Sequence, residues 1–375
     1  MRKTIIFARA SLVDSNNKIY EGIDKLINQL NEDGDDVVIM SHDHSQIQRF
    51  LEKYDFVKKA YRWQIREYLK DESGNCVIVG SNNDDLKIAS NRKTALFVPN
   101  WSDTQEELPN IYGLKVSTPE ILYQIIQILK NQKHWYYELQ VDEKTKVYSL
   151  TSGNSKGYVP KEEKEIVEGF NKLLKKGNKR YFKVLEYHFL ASLMHLEEFK
   201  EVNIWGIMPS SSGLYNEDLL ALKERARVLM GKQQKQHVLE RHTAIGKSHY
   251  IKNQSERLYC NRHFSSMRIN PYFKKGKKLK GKVVCIMDDY LTNGTSFETV
   301  RNLLLNEGVK KVIFVSLGKF TRSSGIEYYK QDYVISGDVY SDDYGYTLVN
   351  ESDLRGIYNN SAKEDIRSLH SILFE

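Results

Sequence analysis

Two adjacent carboxylates and a small polar loop stand out in the last third of the chain. Asp288 and Asp289 directly follow the apolar run Val283–Met287, and the loop begins two residues later. Paired acids can accept hydrogen bonds from a cis-diol, such as the 2′ and 3′ hydroxyls of ribose. Hydroxyls and backbone N–H groups at the start of a helix can hold a phosphate. Diol and phosphate sites one loop apart describe a ribose 5-phosphate. The loop residues are Thr292, Asn293, Gly294, Thr295 and Ser296.

A strand and a helix must position these groups. A continuous apolar run such as Val283–Met287 is typical of a strand that is covered on both faces of a parallel sheet. The amphipathic stretch Phe297–Glu307 predicts a helix that starts directly after the loop. Open α/β sheets bind ligands at the carboxyl ends of their strands, where this loop would lie.

This stretch resembles the phosphoribosyl-pyrophosphate (PRPP) binding motif of type I phosphoribosyltransferases. That motif is a hydrophobic strand, two acids, two residues and then Thr-Thr-Gly-x-Thr or a close variant. The resemblance implies that Asp288 and Asp289 serve the ribose and a Mg²⁺ ion, with Asp289 nearer the ribose cation. It implies that the loop 292–296 holds the 5-phosphate.

An earlier loop fits the same family. The strand that begins at Val202 is followed by a small polar loop and by a predicted helix, Glu217–Met230. Small residues let the backbone approach an anion, although an ordinary strand-to-helix loop would have the same composition. The resemblance implies that this loop binds pyrophosphate, with Arg241 as a bidentate partner and Lys247 as a point charge. The loop residues are Pro209, Ser210, Ser211, Ser212 and Gly213.

The first 130 residues alternate strand and helix, which is typical of a parallel three-layer sheet. Polar loops follow three of the predicted strands, at Ala8–Leu12, at Ser41 and at Ser81–Asp85. Together they resemble the haloacid-dehalogenase-like (HAD) phosphatases, whose motifs are Asp-x-Asp-x-(Thr/Ser)-Leu, a Ser or Thr after a strand, and a distal acidic motif. The resemblance implies a metal site at Asp84 and Asp85.

The departures from that family lie at its catalytic positions. Ala8 stands where the family has its nucleophilic aspartate, and Ala10 where it has its acid/base aspartate. Alanine has no oxygen that could attack phosphorus or hold Mg²⁺, so this phosphatase site is disabled. Two explanations remain open: the domain is a natural pseudo-phosphatase, or two aspartates were replaced by alanine. Replacement is favoured because both catalytic positions carry the same small residue. Ser41 would bind substrate, and spacing favours Lys59 over Lys58 and Lys70 for the family's lysine.

We therefore expect an α/β protein made of two three-layer domains. The first is an uncapped HAD-like Rossmannoid domain, because the spacing between its motifs leaves no room for a cap. The second is a type I phosphoribosyltransferase domain. We expect the HAD-like domain at 1–132, a linker at 133–160, the transferase domain at 161–340 and a hood or tail at 341–375. Other predicted elements are strands at Phe56–Val57, Lys146–Leu150 and Asp332–Ile335, and helices at Lys161–Lys175 and Tyr181–Leu196.

Composition restricts the class of protein and its partners. The chain has 375 residues, a formal charge of +7 and three cysteines without metal-ligand spacing. These features predict reduced structural thiols and a cytoplasmic protein without a membrane segment. The positive charge suits an anionic substrate, and only weakly a nucleic acid. A homodimer is left open.

The expected function is a pentosyl-group transferase that handles PRPP or a ribose 5-phosphate nucleotide, with Mg²⁺ as cofactor. Pairings of these two domains resemble those in bacterial stress and phage-defence gene clusters. Two other classes stay open: a non-catalytic module that senses PRPP or a nucleotide, and a phosphatase that processes nucleic-acid ends.

Overall fold

The computed structural model of the chain describes residues 2–68, 75–131, 134–154, 164, 168, 182–246, 258–321 and 325–374. Of the predicted helix 161–175 only Lys164 and Glu168 are described, both in helical conformation, and the candidate ligand residue Lys247 lies outside the described residues. Strands and helices alternate along the chain and form a six-stranded parallel sheet and a six-stranded mixed sheet, so the α/β class is confirmed.

The first sheet has the strand order β3-β2-β1-β4-β5-β6, and all its neighbours pair in parallel. Its central strands β1 and β4 are entirely buried, as expected for strands that are covered on both faces. The helices form two packed groups, α1 with α6 and α3 with α4 and α5. The bounds are β1 Thr4–Ala8, α1 Ile23–Glu32, β2 Asp36–Ser41, α2 Gln48–Lys53, β3 Lys58–Tyr61, α3 Arg62–Tyr68, β4 Cys76–Val79, α4 Asn83–Arg92, β5 Ala95–Pro99, α5 Glu107–Tyr112, β6 Leu114–Val116 and α6 Pro119–Asn131.

The second sheet has the order β16-β7-β8-β13-β12-β9. Strands β8, β13, β12 and β9 are parallel, and β7 and β16 extend the sheet in antiparallel fashion. Two antiparallel pairs, β10 with β11 and β14 with β15, stand apart from it. The bounds are β7 Tyr137–Asp142, β8 Thr145–Ser152, α7 Phe182–His195, α8 Glu197–Lys200, β9 Ile204–Ile207, α9 Glu217–Leu229, β10 Leu239–Arg241, α10 Asn261–Phe264, β11 Met267–Ile269, β12 Val283–Leu291, α11 Thr295–Asn306, β13 Lys311–Lys319, β14 Tyr328–Gly337, β15 Tyr344–Leu354, β16 Ile357–Tyr358 and α12 Ser361–Phe374.

Several elements differ from the sequence-based expectation. The strand expected at Phe56–Val57 lies two residues further on, at the polar edge strand β3, because hydrogen bonding to β2 rather than apolar character defines it. The stretch expected to be a linker contains β7 and β8, so the second sheet begins inside it. The expected strand Lys146–Leu150 is confirmed as the middle of β8.

A buried helix joins the two halves. All residues of α7 are buried except Lys183 and His195, and the helix contacts β5 of the first sheet and β8 of the second. One continuous hydrophobic cluster includes Ile6 from the first sheet, Leu190 from α7 and Val315 from the second sheet. The three cysteines are buried free thiols, as expected. Among the described residues, the helices are too short or too polar to cross a bilayer.

Candidate functional site

The carboxyl edge of the second sheet brings the two predicted PRPP loops together. Strands β9 and β12 are parallel neighbours, and Ile207 pairs with Met287 at their ends. The Met208 amide donates to the Met287 carbonyl at 2.8 Å, directly before the turn 209–213 and the paired acids. We call the group formed by Pro209–Gly213, Arg241 and Asp288–Ser296 the second-sheet site.

The paired acids sit on the strand itself and not in the loop. Strand β12 continues to Leu291, and both acids are half-buried. The Asp289 amide donates to Asp288 Oδ1 at 2.9 Å, and the Tyr290 amide donates to Asp289 Oδ1 at 2.7 Å. Burial and the adjacent Asp289 carboxylate raise the pKa of Asp288 well above its usual value. A hydroxyl donor or a cation beside the two acids would stabilise their ionised form.

The predicted phosphate loop turns directly into a helix. Gly294 has a φ of 85° and is the N-cap of α11, which begins at Thr295. A Cβ at this glycine would lie 2.5 Å from the Tyr328 ring, so only glycine fits without a shift. Thr295 Oγ1 donates to Asn293 Oδ1 at 2.8 Å, and Thr292, Asn293 and Ser296 are half-buried. The helix N-terminus and these polar side chains suit an anion.

Lys319 supports this loop, although it was not predicted. It ends β13, the neighbour of β12, and it is 1% exposed. Its Nζ atom donates to the Thr292 carbonyl at 2.7 Å and to the carbonyls of Phe320 and Glu327 at 3.0 Å. The sequence contains a signal for this role, because a lysine stands at the end of an apolar strand. An ammonium group in that position needs carbonyl or acidic partners.

The predicted pyrophosphate loop is a tight turn with exposed hydroxyls. The Gly213 amide donates to the Ser210 carbonyl at 3.0 Å, and Gly213 has a φ of +88°. Pro209 is buried and Ser211 half-buried, whereas Ser210 and Ser212 are exposed, with their hydroxyl oxygens 2.9 Å apart. The turn therefore presents hydroxyl groups to solvent at the sheet edge where the acids also lie.

Arg241 stabilises the turn 209–213 through hydrogen bonds. Its Nε donates to the Ser210 carbonyl at 2.8 Å, Nη1 donates to the Ser266 hydroxyl, and Nη2 lies 3.4 Å from His263 Nδ1. Burial, with Arg262 nearby, lowers the pKa of Arg241 to about 10 against the opposing effect of Asp288. The structure thus gives Arg241 a role in fixing the loop in addition to the predicted charge. His263 and Ser266, which were not among the predicted site residues, complete its surroundings.

A second group of predicted residues meets at the carboxyl edge of the first sheet. Strands β2, β1 and β4 are adjacent and end at Ser41, Ala8 and Val79. Ala8 is fully buried. Ala10 lies in a short helical turn, and its carbonyl accepts a hydrogen bond from Ser102 Oγ at 2.6 Å. We call Ala8, Ala10, Ser41, Arg62 and Asp85 the first-sheet site.

The acid of this site has a partner that the sequence did not reveal. Arg62 Nη1 lies 2.6 Å from Asp85 Oδ1, and Asp85 Oδ2 accepts from the amides of Ser81 and Asn82. Burial raises the pKa of Asp85, although Arg62 opposes this shift. Lys59, predicted as the family's lysine, is exposed and pairs with Ile39, short of the sheet edge, whereas Arg62 is buried and reaches Asp85.

The two sites differ in how well their residues fit Mg²⁺. At the second-sheet site, two adjacent carboxylates offer oxygen ligands that Mg²⁺ prefers, with substrate phosphates supplying the rest. At the first-sheet site, Asp85 is committed to Arg62, Asp84 is exposed in the first turn of α4, and the two alanines carry no ligand atom. Within the described ranges, no cluster of three or more His, Cys, Asp or Glu side chains has metal-binding geometry.

Comparisons with known proteins add little. No family model matches the chain, and no curated protein matches it. A solved structure titled "GsuK Channel" matches with 10% identity over 84% of this chain and 61% of that chain, at a TM-score of 0.23. A score this low supports no argument about fold or function.

Proposed function

We propose that the chain is a phosphoribosyltransferase-type protein that binds PRPP at the second-sheet site. The observation that carries the proposal is the juxtaposition of a hydroxyl-bearing turn, two adjacent carboxylates and a helix N-terminus at the ends of β9 and β12. These groups match the three parts of PRPP, which are pyrophosphate, a cis-diol and a 5-phosphate. The resemblance to type I phosphoribosyltransferases supports the same assignment.

The chemistry would depend on positioning and charge stabilisation. The bond between ribose C1 and a pyrophosphate oxygen breaks, and a bond forms between C1 and the attacking atom, whose proton is released. Asp288 and Asp289 would hold the diol and stabilise positive charge on the ribose, and the turn 209–213 would receive pyrophosphate. A Mg²⁺ ion bound with PRPP would neutralise the leaving group.

The first-sheet site suggests a second step on the same product. An HAD-like phosphatase with both aspartates would remove the phosphate from a nucleotide, which is what the transferase would make. Ala8 and Ala10 disable that step in this chain. Its remaining groups, Arg62 above all, could still hold a phosphate group.

Incubation of the chain with labelled PRPP, Mg²⁺ and a panel of bases tests the proposal, with release of pyrophosphate as the readout. We expect turnover with at least one base, and loss of that turnover in Asp288→Asn. Binding of PRPP without turnover by any base would favour a sensing module, for which the disabled first-sheet site is the supporting observation. No PRPP binding by the unaltered chain would contradict both functions.

A further inference from the structure

Two exposed aromatic rings flank Arg62 beside the first-sheet site. Tyr61 is 38% exposed and Trp63 is 65% exposed, whereas Arg62 between them is buried. The two rings are nearly parallel, with 7° between their planes and 6.4 Å between their centroids. A large aromatic surface in water is unfavourable unless a partner covers it.

The aromatic pair lies at the same sheet edge as the phosphate-binding candidates. Tyr61 is the last residue of β3 and pairs in register with Ser41 on β2, while Ala8 on β1 pairs with Met40. Neighbouring strands are about 4.8 Å apart, so Tyr61 is roughly 10 Å from the end of β1. One ligand could therefore contact both the aromatic pair and the edge at Ala8.

The backbone directs the charged and aromatic side chains to different places. Arg62 is the first residue of α3, and its guanidinium reaches inward to Asp85 in the loop after β4. The amide of Tyr61 donates to Gln64 Oε1 at 2.7 Å, which fixes the turn between β3 and α3. The same turn thus presents a cation to the interior of the site and two aromatic rings to its rim.

We propose that Tyr61 and Trp63 are a stacking platform for the base of a nucleoside monophosphate whose phosphate binds beside Arg62. The inference rests on the proposed function, because it takes the transferase product as the ligand of the first-sheet site. A nucleobase is flat and has an exposed π face that extends the existing ring stack. Sugar phosphates without a base lack this flat π face.

The test compares variants of the first-sheet site in a background whose second-sheet site is weakened. In an Asp288→Asn/Asp289→Asn background, which weakens nucleotide binding at the second sheet, we titrate a purine nucleoside 5′-monophosphate and, separately, ribose 5-phosphate by calorimetry. Base stacking is worth about 1–3 kcal/mol per base, so Trp63→Ala should weaken the nucleotide about 5- to 150-fold and leave ribose 5-phosphate within about twofold. Trp63→Phe, which keeps an aromatic face, should recover most of the affinity.

Other outcomes overturn the inference. An equal loss of nucleotide and ribose 5-phosphate affinity in Trp63→Ala would mean that the tryptophan only supports the site structurally. Absence of nucleotide binding in this background would contradict the proposed stacking platform. PRPP binding by the unaltered chain would still support the proposed function. Tight, salt-sensitive binding of a single-stranded oligonucleotide without mononucleotide binding would assign the surface to nucleic acid instead.

Discussion

At the scale of single residues, Asp288 combines functional potential with a cost in stability. Two neighbouring carboxylates in a half-buried position repel each other, and burial also disfavours the charged form. Proteins keep such groups where a ligand or a cation needs them. The same environment that would bind a diol therefore destabilises the ligand-free protein.

This reasoning predicts that Asp288→Asn is more stable than the unaltered chain at pH 7. The pKa of Asp288 in the folded protein exceeds that of an unfolded aspartate, so its ionisation lowers stability progressively above about pH 4. The asparagine cannot ionise, and its advantage in thermal unfolding should shrink as the pH falls towards 4. Affinity for PRPP should fall about 10- to 150-fold, because a charge-assisted hydrogen bond is worth about 1.5–3 kcal/mol.

Differential scanning calorimetry at several pH values and isothermal titration with PRPP measure the two effects. The exposed Asp343→Asn provides a control for the loss of one negative charge. A variant that is less stable than the unaltered chain at pH 7 would contradict the assigned repulsion.

The Arg62–Asp85 pair leads to a second prediction at this scale. Both side chains are buried, so Arg62→Ala leaves an uncompensated carboxylate and should cost about 3–5 kcal/mol of unfolding free energy. The exposed Lys59→Ala on the preceding strand β3 should cost no more than about 0.5 kcal/mol. Urea unfolding measures both values. Adding Asp85→Asn to Arg62→Ala should recover part of the loss, and equal effects of the two alanine variants would rule out the pair as an anchor.

At the scale of elements, the strand-to-helix connection after β12 fixes the shape of the second-sheet site. The sequence predicted the strand, the acids and the helix, because an apolar run and an amphipathic run are local signals. It did not predict that β12 continues past both acids to Leu291, since that depends on pairing with β13. Nor did it predict Lys319 or Arg62, whose roles arise from contacts between residues distant in the sequence.

Gly294→Ala should disturb this connection more than glycine loss elsewhere. A left-handed backbone costs a non-glycine residue about 1–2 kcal/mol, and the new methyl group would also meet the Tyr328 ring, adding about 1–3 kcal/mol. Gly276→Ala is the matched control, because its φ is +75° and nothing lies within 4 Å of its Cβ position. Chemical denaturation and titration with ribose 5-phosphate compare the two. If both variants lose equal stability and neither loses affinity, the close approach to Tyr328 does not shape the loop.

At the scale of the whole molecule, α7 determines how the two sheets depend on each other. Sequence reasoning expected a linker between two separate domains, since composition alone does not reveal which side chains a helix shares with both. In the structure, the cluster that contains Ile6, Leu190 and Val315 is continuous. The hydroxyl of Ser90 in α4 also donates to the Val228 carbonyl in α9 at 2.5 Å, which ties the two halves outside α7.

Shortening a buried side chain of α7 should therefore lower the stability of both sheets together. Leu185 is fully buried in this helix, and Leu185→Ala should cost about 2–5 kcal/mol. Because one apolar cluster spans both halves, amides in β1 and β12 should lose hydrogen-exchange protection in parallel. Leu214→Ala makes the same substitution at a side chain that is 72% exposed and should change neither strand. Loss of protection in β12 alone would mean that the halves unfold independently. Ligand binding at one sheet edge would then not be energetically coupled to the other edge through the core.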